Sequence, residues 1–494
     1  MPFELRIALF ILLTIASACG SDWPQYRGAN HDGISQDRIT TDWSGANTTP
    51  LWRVSLGQAF SSFVVSQGKA LTQVYRNNKE VCVALSITNG AELWARNLEN
   101  GANYGGYDGP RTTPSVVSDS VYLLTSNLKL FRLNLANGAV VWSNNLVAAY
   151  SASTIGWANG ASALVDNGLI YVNLNTGNNA LAAFWTTNGA PAWRVQSERA
   201  THATPIAATL YGVRQIIFPA QSGLVSLNAT NGHKLWSYPY PNGYNGTCLA
   251  ASPVVWSNIV FISQSYNPNS TAARIDCVNG AWSANYLWDQ PVGMIWMTPI
   301  AYKGAVYGAT GNSSANDSPL VCLDLFTGET KWSYDGFGRG GVLLVNNLLM
   351  GLSEAGELKL IRPTPDAYTE LASFQAINSG SCWNTFAVAD GKVYARSANE
   401  AVAFDFSLPP LKVELSQRLS GNQLGLTVSA IDGSALSSNR LTALELLTTT
   451  NLDVPVAGWA KLTNAVHLTN GVIRADNVDT ANKPCQFFMV VEPK

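Results

Sequence analysis

One phrase recurs along this chain and leaves few folds open to it. LVCLDLFTGETKWSYD (Leu320–Asp335) joins an alternating apolar run to a polar turn ending at Gly328 and a second run around Trp332. Alternation puts successive side chains on opposite faces, and Thr-Gly supplies the positive φ of a tight turn, so the phrase predicts a β-hairpin. The same spacing sets Gly90 before Trp94, Gly138 before Trp142, Gly189 before Trp193 and Gly232 before Trp236. A looser version carries an insertion before Trp288, and a later one loses the turn glycine and puts Phe374 near the tryptophan position.

Upstream of most hairpins lies a second phrase: RTTPSVVSDSVYLLT, HATPIAATLYGVRQIIF, LAASPVVWSNIVFIS and MTPIAYKGAVYGAT each start at Ser/Thr-Pro and run strand, turn, strand. Proline is acceptable there because the first residue of a strand need not donate to the ladder. GASALVDNGLIYV and NTFAVADGKVYAR fill the same slot without it. Four strands thus recur, with successive tryptophans 42 to 52 residues apart. Four strands in roughly 40–50 residues is the pattern of a β-propeller blade. Seven units run from about Phe60 to Phe374, and an eighth from Cys382 to Phe406 lacks its tryptophan strand. PLWRVSLG, around Trp52, supplies a strand of that kind at the other end of the chain. The expectation is an all-β chain: an eight-bladed β-propeller over residues 50–408, closed by an N-terminal strand that removes open sheet edges. The repeated Gly and Trp are then architecture, turning hairpins and packing one blade on the next. After Pro409-Pro410 the repeat stops, and five or so short strands predict a small C-terminal β-sandwich over 411–494.

Composition supports this class: 13% charged residues with 41 Gly, 16 Trp and 18 Tyr suit a turn-rich β protein and disfavour coiled coil or disorder. A net charge of −2 gives no electrostatic footprint for nucleic acid, so none is expected as a partner. At the N-terminus Arg6 precedes IALFILLTI and Ala16-Ser17-Ala18, which predicts a signal peptide over 1–18 and a leader segment over 19–49. Two processing outcomes stay open, cleavage after Ala18 or lipidation of Cys19, where Ala16 stands in place of the usual Leu. No other run is long and apolar enough to span a membrane. The expected location is exported: periplasm, outer-membrane-associated or extracellular. Cys82 and Cys322 occupy the same strand position and read as small buried hydrophobes, while Cys248 and Cys277 flank one hairpin region and could pair in an oxidising compartment.

With those residues in place a resemblance can be stated. Trp-rich units with TGETKW-type turns resemble the pyrroloquinoline-quinone-like propellers, a fold shared by quinoprotein alcohol dehydrogenases and non-enzymatic relatives. DWPQYRGANHDGIS (22–35), YGGYDGPRTTP (104–114), FGRGGVLLVNN (337–347) and SGSCWNTFAVADGKVYAR (379–396) are similar to a secreted group of these propellers common in Planctomycetes and Verrucomicrobia. A dehydrogenase of this family implies pyrroloquinoline quinone, a Ca²⁺ ion that polarises it, a carboxylate base and an aromatic floor. The family's adjacent-cysteine ring is absent from the sequence. GATGNSSANDSPL (308–320) resembles the enzymes' Gly-Asn loop, which would make Asn312 the calcium ligand, but the Pro-Trp-Asn continuation is missing.

Other chemistries have less support: the four histidines show no metal-ligand spacing, and no G-x-S-x-G elbow occurs. Residues just before each first strand would meet at one mouth of the central channel: Arg111, Trp157, Asn159, His202, Trp296, Arg339, Trp383 and Asn384. They could hold a planar, sugar-like or acidic ligand, or plug the channel by bonding one another. The expected function is a non-enzymatic binding or scaffolding propeller at the cell envelope, without cofactor, whose partner is an envelope protein or a small ligand such as carbohydrate. The alternative is a quinone- and calcium-dependent dehydrogenase of alcohols or sugars.

Overall fold

Each repeated phrase folds as the outer hairpin of a four-stranded antiparallel sheet. In Leu320–Asp335, strands Leu320–Asp324 and Thr330–Tyr334 pair with Cys322 opposite Trp332, and the Gly328 N–H returns to the Asp324 carbonyl at 2.9 Å. The computed structural model describes residues 21–106, 109–240, 249–264, 268–294, 296–311 and 318–408, then 413–420, 423–430, 436, 444–462, 466–478 and 486–491. The chain divides into two compact units, Gly20–Leu408 and Pro409–Lys494.

The described residues of the first unit form a β-propeller of antiparallel sheets, numbered here in chain order: sheet 1 (64–100), 2 (115–145), 3 (164–195), 4 (206–239), 5 (254–290), 6 (300–334), 7 (341–375) and 8 (387–405). Sheet 8 takes its fourth strand from Trp52–Ser55, which pairs antiparallel with Glu400–Asp405. In sheet 1 the first strand, Val64–Ser66, is buried throughout, whereas the fourth, Glu92–Asn100, is largely exposed. First strands therefore line the centre and fourth strands the rim.

The tryptophans do more than fill a wedge. Six of the indoles lie over the turn of the next sheet and donate Nε1–H to a carbonyl there: Trp52 to Ile87 (2.9 Å), Trp94 to Leu135 (3.0 Å), Trp142 to Thr186 (3.1 Å), Trp193 to Ala229 (3.2 Å), Trp288 to Leu325 (2.9 Å) and Trp332 to Thr364 (2.8 Å). This explains why glycine ends the turn. Gly138 has φ +68°, and a Cβ there would lie 2.6 Å from the Trp94 ring. Gly138→Ala is expected to cost about 1–3 kcal/mol, read as a lower denaturant midpoint, because strain and overlap act together. An unchanged midpoint would show that the indole has room to move.

Two irregular units find substitutes. The insertion before Trp288 is a longer hairpin, Asn269–Val278 and Ala281–Gln290, closed by Asn279-Gly280 with both φ positive. It offers no Thr-Gly turn to Trp236, which donates instead to Gln215 Oε1 of its own sheet (2.8 Å). Phe374 packs edge-on against Phe404 of sheet 8 (5.0 Å between centroids) and Trp43 (5.7 Å). Cys82 and Cys322 are fully buried, and burial pushes the Cys322 thiol up to about 12. Cys277 is half-buried and unpaired; Cys248, the cysteine it could pair with, and Cys485 lie outside the described residues.

The Ser/Thr of the second phrase also has a role that proline alone did not suggest. Ser62 N–H donates to Thr113 Oγ1 (3.1 Å), Thr113 N–H to Ser162 Oγ (2.9 Å), and Ser162 N–H to Thr204 Oγ1 (2.9 Å). Ser252 N–H donates to Thr298 Oγ1 (2.9 Å), and Thr385 N–H to Ser62 Oγ (3.2 Å). These buried hydroxyls tie the inner strand of one sheet to that of another around the centre.

The leader belongs to this unit and crosses it from sheet to sheet. Trp23 bridges Val65 of sheet 1, the Pro24 carbonyl accepts from Val116 of sheet 2, and Ile34–Ser35 pairs in parallel with Leu344 and Val345 of sheet 7. Between them Arg27, 1% exposed, donates to the carbonyls of Thr298 (2.9 Å) and Pro299 (2.7 Å) at sheet 6 and of Asp32 (2.7 Å). All the partner segments in sheets 1, 2, 6 and 7 belong to, or lead into, inner strands, so the leader spans the channel.

In the second unit Val413–Ser420, Gln423–Ala430, Val472–Val478 and Val466–Thr469 form one sheet, and Ala460–Lys461, Glu445–Thr449 and Phe487–Val491 another. Leu424, Leu426 and Ile473 of the first share a buried cluster with Leu446 and Phe488 of the second. Among the described residues no helix is long and apolar enough to cross a membrane.

Candidate functional site

A cavity of about 350 Å³ opens at the centre of the propeller. Seven of the eight residues singled out from the sequence line it: Arg111, Trp157, His202, Trp296, Arg339, Trp383 and Asn384. They converge because each precedes the first, innermost strand of its sheet. Asn159 does not line the cavity. Its side chain is spent on its own turn, donating to the Ala161 carbonyl (3.0 Å) and accepting from the Ala161 N–H (3.2 Å). Asn312 and Cys19 lie outside the described residues.

The lining forms two walls. On one, the Arg339 guanidinium lies 4.4 Å from the Trp383 ring centroid and 5.5 Å from that of Trp296, and Phe60 stacks on Trp383 at 5.2 Å. Behind it Glu354 accepts from Arg339 Nε (3.0 Å), the Arg339 backbone N–H (2.9 Å) and Trp383 Nε1 (2.8 Å), and pairs with Nη2. Burial works against the Glu354 carboxylate, but these bonds outweigh it and hold the group below the usual carboxylate range. The charge of Arg339 is therefore met within the wall.

The opposite wall is Arg111, Trp157 and His202. Arg111 donates to the carbonyls of Trp157 (2.8 Å) and Tyr104 (3.1 Å). Tyr104 in turn donates to Glu80 Oε1 at 2.6 Å, a carboxyl that burial raises above its ordinary range. Trp157 is 41% exposed and has φ +63°, a left-handed conformation that costs a bulky residue strain and is found preferentially at functional sites. Its ring passes so close to Gly105 that a Cβ there would fall 2.2 Å from Trp157 Cδ1. His202 lies 6.2 Å from that ring. Burial above all, then Arg111, depresses its imidazole to about 4, against a hydrogen-bonding contact with the Gly156 backbone that favours the charged form, so the ring is neutral at pH 7.

Several polar atoms here have no protein hydrogen-bond partner of ordinary geometry among the described residues: Trp296 Nε1, both Oδ1 and Nδ2 of Asn384, a residue 2% exposed, and both nitrogens of His202, whose ring has only a weaker contact with the Gly156 backbone. Buried polar groups are normally paired, so each such atom calls for an explanation. The reading in which these side chains plug the channel by bonding one another does not describe these three.

Sequence reasoning missed Tyr26, Phe60, Ser62, Ser162, Thr204 and Thr385, which also line the cavity. Thr204 was legible in the Ser/Thr-Pro slot, and Ser162 and Thr385 in the phrases that fill that slot without proline. Tyr26 was not, because it arrives on the leader, where its hydroxyl meets Thr298 Oγ1 at 3.2 Å.

Among solved structures, this fold is similar to BamB from Moraxella catarrhalis, at 15% identity and a TM-score of 0.52, covering 73% of this chain and 98% of that one. It is also similar to the quinohemoprotein alcohol dehydrogenase from Comamonas testosteroni, at 11% identity and a TM-score of 0.56, covering 94% and 82%. At such identities the likeness is one of fold. No curated protein matches the sequence. A family model described as outer membrane protein assembly factor BamB matches residues 36–167 and 153–334, more than half of the chain. The chain therefore belongs to that family of pyrroloquinoline-quinone-like repeat β-propellers.

Proposed function

We propose that this protein is an exported, non-enzymatic binding propeller of the cell envelope, an eight-bladed ring with an appended C-terminal β-sandwich, whose central cavity holds a small ligand. The observation that carries the reading is the two-walled aromatic cavity with unpartnered, buried, uncharged polar atoms on His202, Trp296 and Asn384. Concave, largely apolar sites with a few convergent polar groups are the usual form of ligand pockets, which span about 300–1,000 Å³. Export follows from the signal sequence, with Cys19 either the first mature residue or a lipid anchor. An envelope protein docked on the outer surface is compatible with a ligand inside.

The second reading, a dehydrogenase using pyrroloquinoline quinone and calcium, asks for carboxylate or carbonyl ligands to a hard cation and a carboxylate base beside the quinone. The described lining contains no Asp or Glu; Glu354 stands behind the wall and is fully engaged. Both arginines that could take the quinone's carboxylates already have partners. These residues do not fit the group. The test is to incubate the purified protein with the quinone and CaCl₂, then follow absorbance and dye reduction with alcohol and sugar substrates. No stoichiometric retention and no turnover are expected; retained quinone with turnover would overturn the binding reading.

A further inference from the structure

The cavity is a cup rather than a tunnel. Tyr26 lines it from the leader, and the leader is fixed to the inner strands of sheets 1, 2, 6 and 7. A segment anchored on opposite sides of the channel forms a floor, so a ligand enters and leaves by the open mouth. A polymer threaded through the propeller is excluded, and only a chain end or a short molecule can seat.

The chemistry of the free atoms narrows the ligand further. Asn384 presents an acceptor and a donor, Trp296 a donor, and neutral His202 one of each. Carboxylates and quinone oxygens only accept, and would leave the acceptors of Asn384 and His202 unmet. Hydroxyl groups donate and accept, and match every one of these atoms. Between them lies the ring of Trp157, more exposed than the other indoles of the cavity, which offers a flat apolar surface to aliphatic C–H groups. A ring with one apolar face and a rim of hydroxyls is a pyranose.

Resting on the binding reading above, we infer that the cup holds the terminal pyranose unit of a glycan, with Trp157 as its platform and Asn384 and His202 as the hydroxyl readers. Tyr26 meets the end of the sugar at the floor. Arg111, the charge of the Trp157 wall, admits a uronic acid at the rim as well as a neutral sugar.

The test uses the full mature chain and follows tryptophan fluorescence and calorimetric heat. The probes are linear oligosaccharides of two to four units (α- and β-glucan, mannan, N-acetylglucosamine and galacturonan series), a cyclic glucan that has no chain end, and indole-3-carboxylate as a planar acid. At least one linear series is expected to bind while the cyclic glucan does not, and Trp157→Ala and Asn384→Leu are each expected to weaken that binding about tenfold or more. Asn384→Leu also controls for folding. It removes two unpartnered buried atoms, so its thermal midpoint should equal or exceed that of the parent while binding falls. Absence of binding across the linear panel, or linear binding unchanged in both variants, overturns the sugar assignment; equal binding of the cyclic glucan overturns the chain-end geometry. If only indole-3-carboxylate binds, and Trp157→Ala abolishes it, the cavity is a ligand site of another class and the sugar inference alone fails. Quinone turnover would instead remove the binding reading itself.

Discussion

Arg27→Ala is expected to destabilise the propeller by about 3–5 kcal/mol, the largest loss from any single side chain of the leader. Its guanidinium sits at 1% exposure and serves three backbone carbonyls, those of Asp32, Thr298 and Pro299. Removal strands all three and opens a void beneath the cavity. Burial dominates the environment of this arginine and lowers its pKa, with Tyr26 and Asp32 opposing that effect, so the carbonyls act as its solvation shell. Arg27→Lys should recover less than half of the loss, because one ammonium cannot reach carbonyls in two directions as a planar fork does. Equilibrium denaturation reads both variants. A midpoint unchanged in Arg27→Ala would mean that the leader is a passenger and that the cavity floor is not built by it.

Glu354→Gln is expected to cost about 2–4 kcal/mol at neutral pH, since Arg339 then keeps its charge at 12% side-chain exposure and loses its pairing with the Glu354 carboxylate. The loss should depend on pH in a defined direction. Burial resists the charged form of Glu354, but the bonds from Arg339 and Trp383 prevail and depress its folded pKa below the reference 4.5. A group depressed in the folded state contributes stability that is fully present above its unfolded pKa and is lost as pH falls through the folded value. The gap between parent and variant should therefore hold from neutral pH down to about 5 and close in acid. Free energies of unfolding measured across pH 3–7 check this; a gap that stays constant into acid would mean that the carboxylate charge is not what holds Arg339. The same variant loosens Trp383, so ligand binding should weaken with it.

Much of the fold could be read from the repeat, because sheet structure is written in local periodicity: alternation, a turn glycine and a strand-starting proline are properties of ten-residue windows. The site was partly legible for the same reason. Once units are aligned, Arg111, His202, Trp296 and Trp383 each stand four residues ahead of an inner strand, and equivalent positions in a repeat around an axis must converge; Trp157, seven residues ahead of Leu164, reaches the same cavity from further up its loop. Asn159 misled because it lies only one residue from the equivalent position, which Gly160 holds, and its amide closes a turn on Ala161. A short polar side chain has that choice, and nothing in the flanking residues reveals which it takes.

Other features depend on contacts between residues far apart in sequence. Trp94 and Gly138 are each understandable alone, but that one ring occupies the space a Cβ would need at the other is decided by how two sheets dock. Tyr26 reaches the cavity because Arg27 fastens the leader to carbonyls some 271 residues further along the chain. The sequence alone determined the hairpins, the repeat and the positions from which a central site could be built, since each is specified by near neighbours. Only the tertiary structure decided that the channel has a floor, that Arg339 is neutralised by Glu354 while Asn384 is left unpartnered, and that Trp157 is held strained and exposed. Those outcomes depend on which groups satisfy each other across the ring, and pairing energies of that kind are set by distance in space rather than by order along the chain.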